Sequence, residues 1–338
     1  MSTENNNIPR ICMSTEGYET HYPRFLEYAD IQLEEKLWFA TEMEVELDRM
    51  QLLYELSPEQ KHLVEYVIGL FLRYELVVGK EFWREIVVKT FPRPEVEVMA
   101  SVFSMIELAV HARAYNKLNE VLGKNTDEHY LAYEQDKELK SRVDWLNKVL
   151  NGRDKILATA IFTMTETALL FSLFSLLKSF QSNGLNKLPV VVRLTNQSAL
   201  DEDHHGMGGA ELINTYYAEL GTPLVEDTER YTKIREAVRH VYEHECRIID
   251  KAMLTDSING VSKQEFKEYV KHRLNVYLER IQLPKEFVVG ECQIISWFET
   301  NTYAYKMIDF FTAGVGNEYE SGWNEINFGK CWMENNDN

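Results

Sequence analysis

Cysteine is scarce in this sequence, and the four that occur are widely spaced and form no CxxC motif (Cys12, Cys246, Cys292 and Cys331). They provide neither a disulfide framework nor a zinc site, which is typical of a reducing compartment. The chain also lacks the apolar core of a signal peptide before Pro9, and its longest strongly apolar stretch, 167–177, is too short and too rich in serine and threonine to span a bilayer. We therefore expect a soluble, cytoplasmic protein without a membrane partner.

Positive charge is in deficit as well. The chain has 36 lysine and arginine residues against 54 aspartate and glutamate residues, and the resulting net charge of −18 argues against nucleic acid as a partner. The sequence has no glycine-rich phosphate loop, so it gives no indication of nucleotide binding. It does have 45% apolar residues in a chain of 338, which is enough for a large core and excludes an intrinsically disordered class.

Proline is rare, and its distribution predicts an all-α protein. The eight prolines leave 59–91 and 95–188 uninterrupted, so both stretches can form long helices. Ser57, Pro58 and Gln60 form the pattern of a capped helix start. Further helices are predicted at 98–115, 154–181, 189–220, 226–255 and 262–283, and the charged stretch 127–140 is predicted as a solvated face or a connection.

No shift in composition divides this helical region. We predict an N-terminal extension (1–30), one helical domain (31–311) and a loose C-terminal tail (312–338). The tail is predicted because glycine and asparagine become frequent after Thr312.

Carboxylates set in apolar helical surface are the most informative residues. Glu107 is the only ionisable side chain in 98–110, and Glu166 is the only one in 161–177. Helices that are apolar on all sides are expected to be buried, and a buried carboxylate is either protonated or neutralised by a cation. Glu75, one turn after Phe71 on an apolar stripe, faces the same interior.

Two histidines complete the set. Glu107 and His111 are four residues apart and Glu202 and His205 are three apart, so each pair shares one helix face. Two divalent ions would balance four carboxylates, and an oxygen-rich set with two imidazoles suits iron or manganese better than zinc. Taken singly, the residues have plainer explanations, since an acidic run such as 201–205 is also typical of solvated surface. Together they are the inventory of a carboxylate-bridged dinuclear metal site in a helix bundle: Glu75, Glu107, His111, Glu166, Glu202 and His205.

In order and spacing, these residues resemble the radical-generating small subunit of class I ribonucleotide reductase over about 38–319. The resemblance implies a ferritin-like helix bundle with the dinuclear site between four core helices, and it assigns the six residues above as the metal ligands. It rests on Trp38, Asp48, Glu75, the segment FSMIELAVHARAY, Asp144 with Trp145, Glu166 with Phe174, and Asp201 and Glu202 with His205.

The resemblance also implies a set of roles. Tyr115, one turn after His111, falls at the position of the family's radical tyrosine. Trp38 and Asp201 match the pair that links the metal site to the subunit surface, and Tyr319 matches the tail tyrosine that relays the radical. The reaction would be the reduction of ribonucleotides to deoxyribonucleotides, which DNA replication requires.

The implied cofactor is a pair of iron ions, with a mixed manganese–iron pair or two manganese ions as the alternatives. The implied partners are a large catalytic subunit and a second copy of the chain in a homodimer. An activating flavoprotein remains open as a further partner.

The chain departs from the family pattern at three positions. Glu107 and His111 are spaced ExxxH where the family usually has ExxH. A π-bulge would absorb the extra residue and still bring Glu107 to the metal, and without one this metal position would be weakened. Glu75 stands where many members of the family have aspartate, so the identity of the metal stays open. Ser198 replaces an apolar residue of the radical pocket, so either Tyr115 or the metal pair would hold the oxidant.

Two other functions use the same kind of ligands. The first is a ligand-binding dimetal oxidase or monooxygenase, in which the relay residues Trp38, Asp201 and Tyr319 would have no purpose. The second is a ferritin-like metal-storage protein, which favours wet, acidic metal paths rather than the apolar surroundings of Glu166.

Overall fold

Helices dominate the structure, as the proline distribution predicts. The computed structural model describes residues 8–298, except for the side chains of Leu72 and Arg73. Met1–Ile295 forms one compact unit, and a second unit, Ser296–Asn338, lies almost entirely outside the described residues. The predicted tail (312–338) and Tyr319 therefore lie outside the described residues.

The helices follow one another with short connections. The first half contains α1 (Pro23–Glu34), α2 (Pro58–Val77), α3 (Val88–Thr90), α4 (Pro94–Met105), α5 (Ala112–Val121), α6 (Asp127–Leu131) and α7 (Lys137–Leu150). The second half contains α8 (Lys155–Met164), α9 (Leu170–Lys178), α10 (Pro189–Leu220), α11 (Thr228–Ala252) and α12 (Lys263–Arg280). A small antiparallel hairpin, β1 (Ser257–Ile258) with β2 (Val261–Ser262), precedes α12.

Short 3₁₀ turns lie between several of the helices. They are Arg10–Cys12, Ala40–Glu42, Val45–Asp48, Ala132–Gln135, Ser179–Gly184 and Leu224–Glu226.

Several of the helices continue through π-helical turns. Val78–Val87 joins α2 to α3, Ile106–His111 joins α4 to α5, and Thr165–Leu169 joins α8 to α9. A further π turn, Gln51–Glu55, precedes α2. The structure has a π turn at Ile106–His111, the arrangement that would absorb the extra residue between Glu107 and His111, and π turns are frequent at functional sites.

Local sequence signals set the helix ends. Ser57 Oγ accepts a bond of 3.2 Å from the Gln60 backbone, and Gln60 Oε1 accepts one of 3.1 Å from the Ser57 backbone, which confirms the predicted capping box. The helix predicted at 189–220 is α10. Asp48 Oδ2 accepts bonds of 2.8 Å from the backbone N–H of Val190 and of Val191, so a residue distant in sequence caps the start of this long helix.

The most apolar helix lies in the core. The continuous stretch Lys155–Gly184 is long enough to cross a membrane and contains an 18-residue window with a mean hydropathy of 1.7, but that whole window is buried inside the protein. Its place is that of a core helix.

Small residues let helices approach closely around this core. A Cβ atom added to Gly79 would lie 2.8 Å from Leu108 Cγ and 2.9 Å from Glu107 Cβ, and Ser104 Oγ donates a bond of 2.8 Å to the Gly79 carbonyl. The backbone after Glu75 and the helix that carries Glu107 are therefore in direct contact.

The charged segment 127–140, predicted as a solvated face or a connection, is mostly exposed in the structure and is partly helical. The structure forms α6 there and starts α7 at Lys137, where Asp136 caps the helix through the backbone N–H of Glu138 and Leu139 at 2.9 and 3.1 Å. The buried apolar side chains of α7, which include Leu139 and Val143, recur at helical spacing along the length of the helix.

Candidate metal centre

The structure brings the six predicted ligands together in the core. Glu75 lies on α2, Glu107 and His111 on the π turn Ile106–His111, Glu166 on the π turn Thr165–Leu169, and Glu202 and His205 on α10. All six side chains have no exposed surface. The acidic run 201–205 is buried as well, so solvation does not explain it.

The cluster consists of two overlapping groups. In each group, one possible ligand atom per residue lies within 4.8 Å of those of the others. Glu107 and Glu202 belong to both groups, as bridging carboxylates would. The first group adds Glu75 and His111, and the second adds Glu166 and His205.

Both imidazoles turn Nδ1 towards the carboxylates. His111 Nδ1 lies 3.0 Å from Glu202 Oε1 and 3.4 Å from Glu75 Oε2. His205 Nδ1 lies 2.7 Å from Glu107 Oε1 and 3.2 Å from Glu202 Oε2. The Nδ1 atoms are therefore the donors that a metal would meet.

Burial and mutual repulsion raise the pKa values of three of the carboxyl groups. Burial and the Glu107 charge raise the pKa of Glu166 to about 8. Burial and the neighbouring carboxylates raise the pKa of Glu202 well above its usual value and also raise that of Glu107. The cluster thus holds protons that two cations would displace.

Unpartnered polar atoms test whether the residues fit metal ions. Glu75 and Glu107 have both carboxylate oxygens without a hydrogen-bond partner, and Glu166 Oε2, Glu202 Oε1 and His111 Nδ1 also lack one. Buried polar atoms are almost always paired, so this many unpaired oxygen and nitrogen atoms at one point indicates a site for cations. The donor set fits two ions such as iron or manganese.

Asp201 connects the cluster to two outer side chains. Its Oδ2 accepts bonds from Trp38 Nε1 at 2.7 Å and from His111 Nε2 at 3.0 Å, and its Oδ1 accepts one from Gln32 at 2.9 Å. Burial raises the pKa of Asp201, but His111 outweighs burial, so this pKa lies below its usual value. Asp201 is an ionised acceptor, which fixes the proton of His111 on Nε2 and leaves Nδ1 for a metal.

Trp83 contacts Glu166, and this contact was not predicted from the sequence. Its indole Nε1 donates a bond of 2.8 Å to Glu166 Oε1, and both residues are fully buried. Trp83 follows Glu75 by eight residues on the same continuous helix, which is the only local signal that could have marked it. Gln32 was missed too, because it lies far from Asp201 in sequence.

Tyr115 lies in a buried, aromatic pocket one turn after His111. Its ring is fully buried and stacks on Phe71 with centroids 4.6 Å apart, and Phe71 stacks on Phe174 at 5.1 Å. Its hydroxyl donates a bond of 3.0 Å to Ser198 Oγ. Burial and the Glu75 charge raise the pKa of Tyr115 well above its usual value, so the phenol keeps its proton at neutral pH.

The fold and this site define a class of protein, namely a helix bundle with a buried ligand set for two metal ions. The sequence then identifies the family, because the profile of the family described as ribonucleotide reductase, small chain, matches residues 16–292. The chain belongs to this family, and it is the small subunit of an oxidoreductase. No curated protein sequence matches the chain.

Solved structures share the fold at low identity. A class I ribonucleotide reductase structure from Bacillus halodurans is 17% identical with a TM-score of 0.73, covering 82% of this chain and 99% of that chain. A ribonucleotide reductase R2 subunit from Clostridium botulinum is 18% identical with a TM-score of 0.68, covering 83% and 88%. Dimanganese(II)-NrdF from Streptococcus sanguinis is 18% identical with a TM-score of 0.70, covering 82% and 94%. These similarities confirm the all-α, ferritin-like fold.

Proposed function

We propose that this small chain generates the oxidising radical of its ribonucleotide reductase, stores it on Tyr115 and lends it to a large catalytic chain. The observation that carries the proposal is the buried set of four carboxylates and two imidazoles, one helical turn from a fully buried tyrosine.

Each residue of the site has a part in this function. Glu107 and Glu202 would bridge two ions, Glu75 with His111 would hold one ion, and Glu166 with His205 would hold the other. When bound, two reduced metal ions would supply electrons to dioxygen and give an oxidant strong enough to oxidise a tyrosine.

The aromatic side chains around Tyr115 exclude water from its ring, which protects a radical from solvent. Trp38 and Asp201 form the hydrogen-bonded connection that leads away from His111. The relay role of Tyr319 stays a prediction, since this residue lies outside the described residues.

Metal identity and partners belong to the same proposal. We propose a pair of iron ions, with manganese–iron or two manganese ions as the alternatives, and the dimanganese state of the Streptococcus sanguinis structure supports retaining manganese. The small-chain family implies a large chain as partner. A homodimer, a cytoplasmic location and an activating flavoprotein for a manganese form complete the proposal.

The test is electron paramagnetic resonance with metal counting. The apoprotein is loaded with ferrous iron, or with iron plus manganese, and exposed to air. We expect two metal ions per chain and a tyrosyl signal that disappears in Tyr115→Phe. The matched control is Tyr277→Phe, which alters another fully buried tyrosine whose hydroxyl bonds to the Ala160 carbonyl and should leave the signal intact.

Other outcomes would redirect the proposal. Two bound metals that give only a coupled metal signal would place the oxidant on the metals or favour the oxidase function. Absence of stoichiometric metal would contradict the ligand assignment itself.

A further inference from the structure

Ser198 provides the polar contact of the Tyr115 phenol. The two oxygens are 3.0 Å apart, and both side chains are fully buried. Among the described residues, no other side chain forms a hydrogen bond with this phenol. The rest of the contact that the ring makes is aromatic, with Phe71 stacked on its face.

The orientation of Ser198 differs from that of two buried threonines in helices of this protein. Thr163 and Thr195 donate to the backbone carbonyls of Thr159 and Val191, one turn earlier on their own helices, at 2.9 and 2.8 Å. This is the usual local bond of a helical hydroxyl. Ser198 instead accepts from a side chain on α5, and within residues 8–298 its own proton has no assigned acceptor.

A hydroxyl group can serve two states of a tyrosine. It accepts a bond from the protonated phenol, and after rotation about its Cβ–Oγ bond it donates one to a phenoxyl oxygen. An alanine or valine side chain at this position could do neither. The bond therefore gives position 198 a function that packing alone would not require.

We propose that Ser198 is a positioning residue for Tyr115, accepting the hydrogen bond of the reduced phenol and donating one to the oxygen of the tyrosyl radical. The inference rests on the proposed function. Oxidation removes one electron and the phenolic proton from Tyr115. Both pass to the oxidant formed from dioxygen, whose reduction towards water takes up a proton with each electron, so Ser198 keeps its own proton throughout.

The variants are chosen as a matched pair. Ser198→Thr keeps the hydroxyl and adds a methyl group, whereas Ser198→Val has nearly the same shape without the hydroxyl. Any steric effect of the added methyl is common to both. Ser198→Ala removes the hydroxyl without adding volume.

The first measurement needs neither metal nor radical. A 3-fluorotyrosine is incorporated at position 115 alone, and its ¹⁹F resonance is recorded in the apoprotein. We expect the wild-type and Ser198→Thr proteins to share one chemical shift, and Ser198→Val and Ser198→Ala to share another. A common shift in all four proteins would overturn the inference, whatever the radical experiment shows.

The second measurement uses the metal-loaded, air-exposed full chain. In D₂O, the tyrosyl radical of the wild-type and Ser198→Thr proteins should show an exchangeable deuteron coupling by electron–nuclear double resonance. Ser198→Val and Ser198→Ala should lose this coupling and show an increase in the largest g value. A radical without the coupling in the wild-type protein would overturn the donor role.

The two measurements separate the inference from the proposed function. Separated ¹⁹F shifts without any tyrosyl signal would uphold the Ser198 contact and contradict radical storage on Tyr115. A tyrosyl signal with equal ¹⁹F shifts would uphold radical storage on Tyr115 and contradict the Ser198 contact.

Discussion

The carboxylates at the two ends of the buried cluster differ in their hydrogen bonds. Trp83 occupies Oε1 of Glu166 with a hydrogen bond, so only Oε2 of this carboxylate is unpartnered. Glu75 has both oxygens unpartnered. We therefore expect Glu166 to bind its ion through one oxygen, whereas Glu75 can bind through two.

The Trp83 contact gives a prediction for metal affinity. Trp83→Phe removes the N–H donor, and outer partners of metal ligands typically contribute about 10- to 100-fold to affinity. We expect manganese(II) to bind about 10-fold more weakly at the Glu166 end, measured by isothermal titration calorimetry on the apoprotein.

The same substitution at Trp145 is the control for that prediction. Trp145 packs against His240 and has no contact with the ligands among the described residues. Equal affinities of the Trp83→Phe, Trp145→Phe and wild-type proteins would show that the indole bond does not position Glu166.

At the scale of helices, the close approach at Gly79 sets the spacing of two ligand-bearing segments. Gly79→Ala would place a Cβ atom 2.8 Å from Leu108 Cγ and 2.9 Å from Glu107 Cβ, so one helix must move. We expect the free energy of unfolding to fall by about 1–3 kcal/mol in urea titrations, because overpacking a core has this effect. Manganese binding should weaken in parallel.

Gly69→Ala is the matched control on the same helix. The nearest atom to its added Cβ is His129 Cε1 at 4.0 Å, so the methyl group fits. Alanine should raise stability there by about 0.5–1 kcal/mol, since glycine is unfavourable inside a helix. A loss of stability equal to that of Gly79→Ala would contradict the contact argument.

A second buried polar network joins α2, α7 and α11. Arg142 donates through Nε to His244 Nδ1 at 2.7 Å and through Nη1 to Tyr74 Oη at 2.8 Å, and it pairs with Glu245. The Nδ1 bond requires neutral His244. Burial and then repulsion from Arg142 lower the pKa of His244 to about 3.

This histidine predicts a pH dependence of stability. In the unfolded chain a histidine becomes protonated near pH 6.5, whereas His244 in the folded protein stays neutral down to about pH 3. Its contribution to stability is thus complete above about pH 6.5 and declines as the pH falls towards 3. His244→Gln, which keeps an acceptor for Arg142, should show a smaller loss of thermal stability over this range. If the melting temperatures of the two proteins fell equally over this pH range, His244 would be excluded as a source of acid sensitivity.

The elements also show what local sequence can predict. The start of α2 and both ends of α10 were predictable because capping residues, prolines and apolar spacing are local signals. The Glu107 π turn was predictable because its spacing departs from a known pattern. The π turn at Glu166 has no such mark, and the Arg142 network has none either, because its partners lie on helices distant in sequence.

For the whole molecule, the six side chains that the structure brings together in the core were predictable from an imbalance of charge and burial. A carboxylate in an otherwise apolar helix requires compensation, and four of them with two histidines indicate one shared solution. The outer contacts from Gln32 and Trp83 were not predictable, since hydrogen bonds across helices depend on packing geometry that the sequence does not display.

The family assignment predicts a separable role for the tail. Deleting the residues after Gly322 should abolish reductase activity with a large chain while leaving the metal content unchanged, because all six ligands lie before that point. Metal analysis and a reductase assay on the same preparation provide the check. Unchanged turnover would contradict the tail assignment. Tyr319 precedes the deleted residues and stays in this variant, so its relay role remains a separate prediction.

The unbroken helix α10 makes the site sensitive to changes in chain length. Ser198, Asp201, Glu202 and His205 share this helix, so inserting one residue among them would rotate part of the set by about 100° relative to the rest. A π turn, in contrast, accommodates one extra residue in a continuing helix. Evolutionary insertions and deletions should therefore be tolerated at π turns such as Val78–Val87 and be eliminated between 198 and 205.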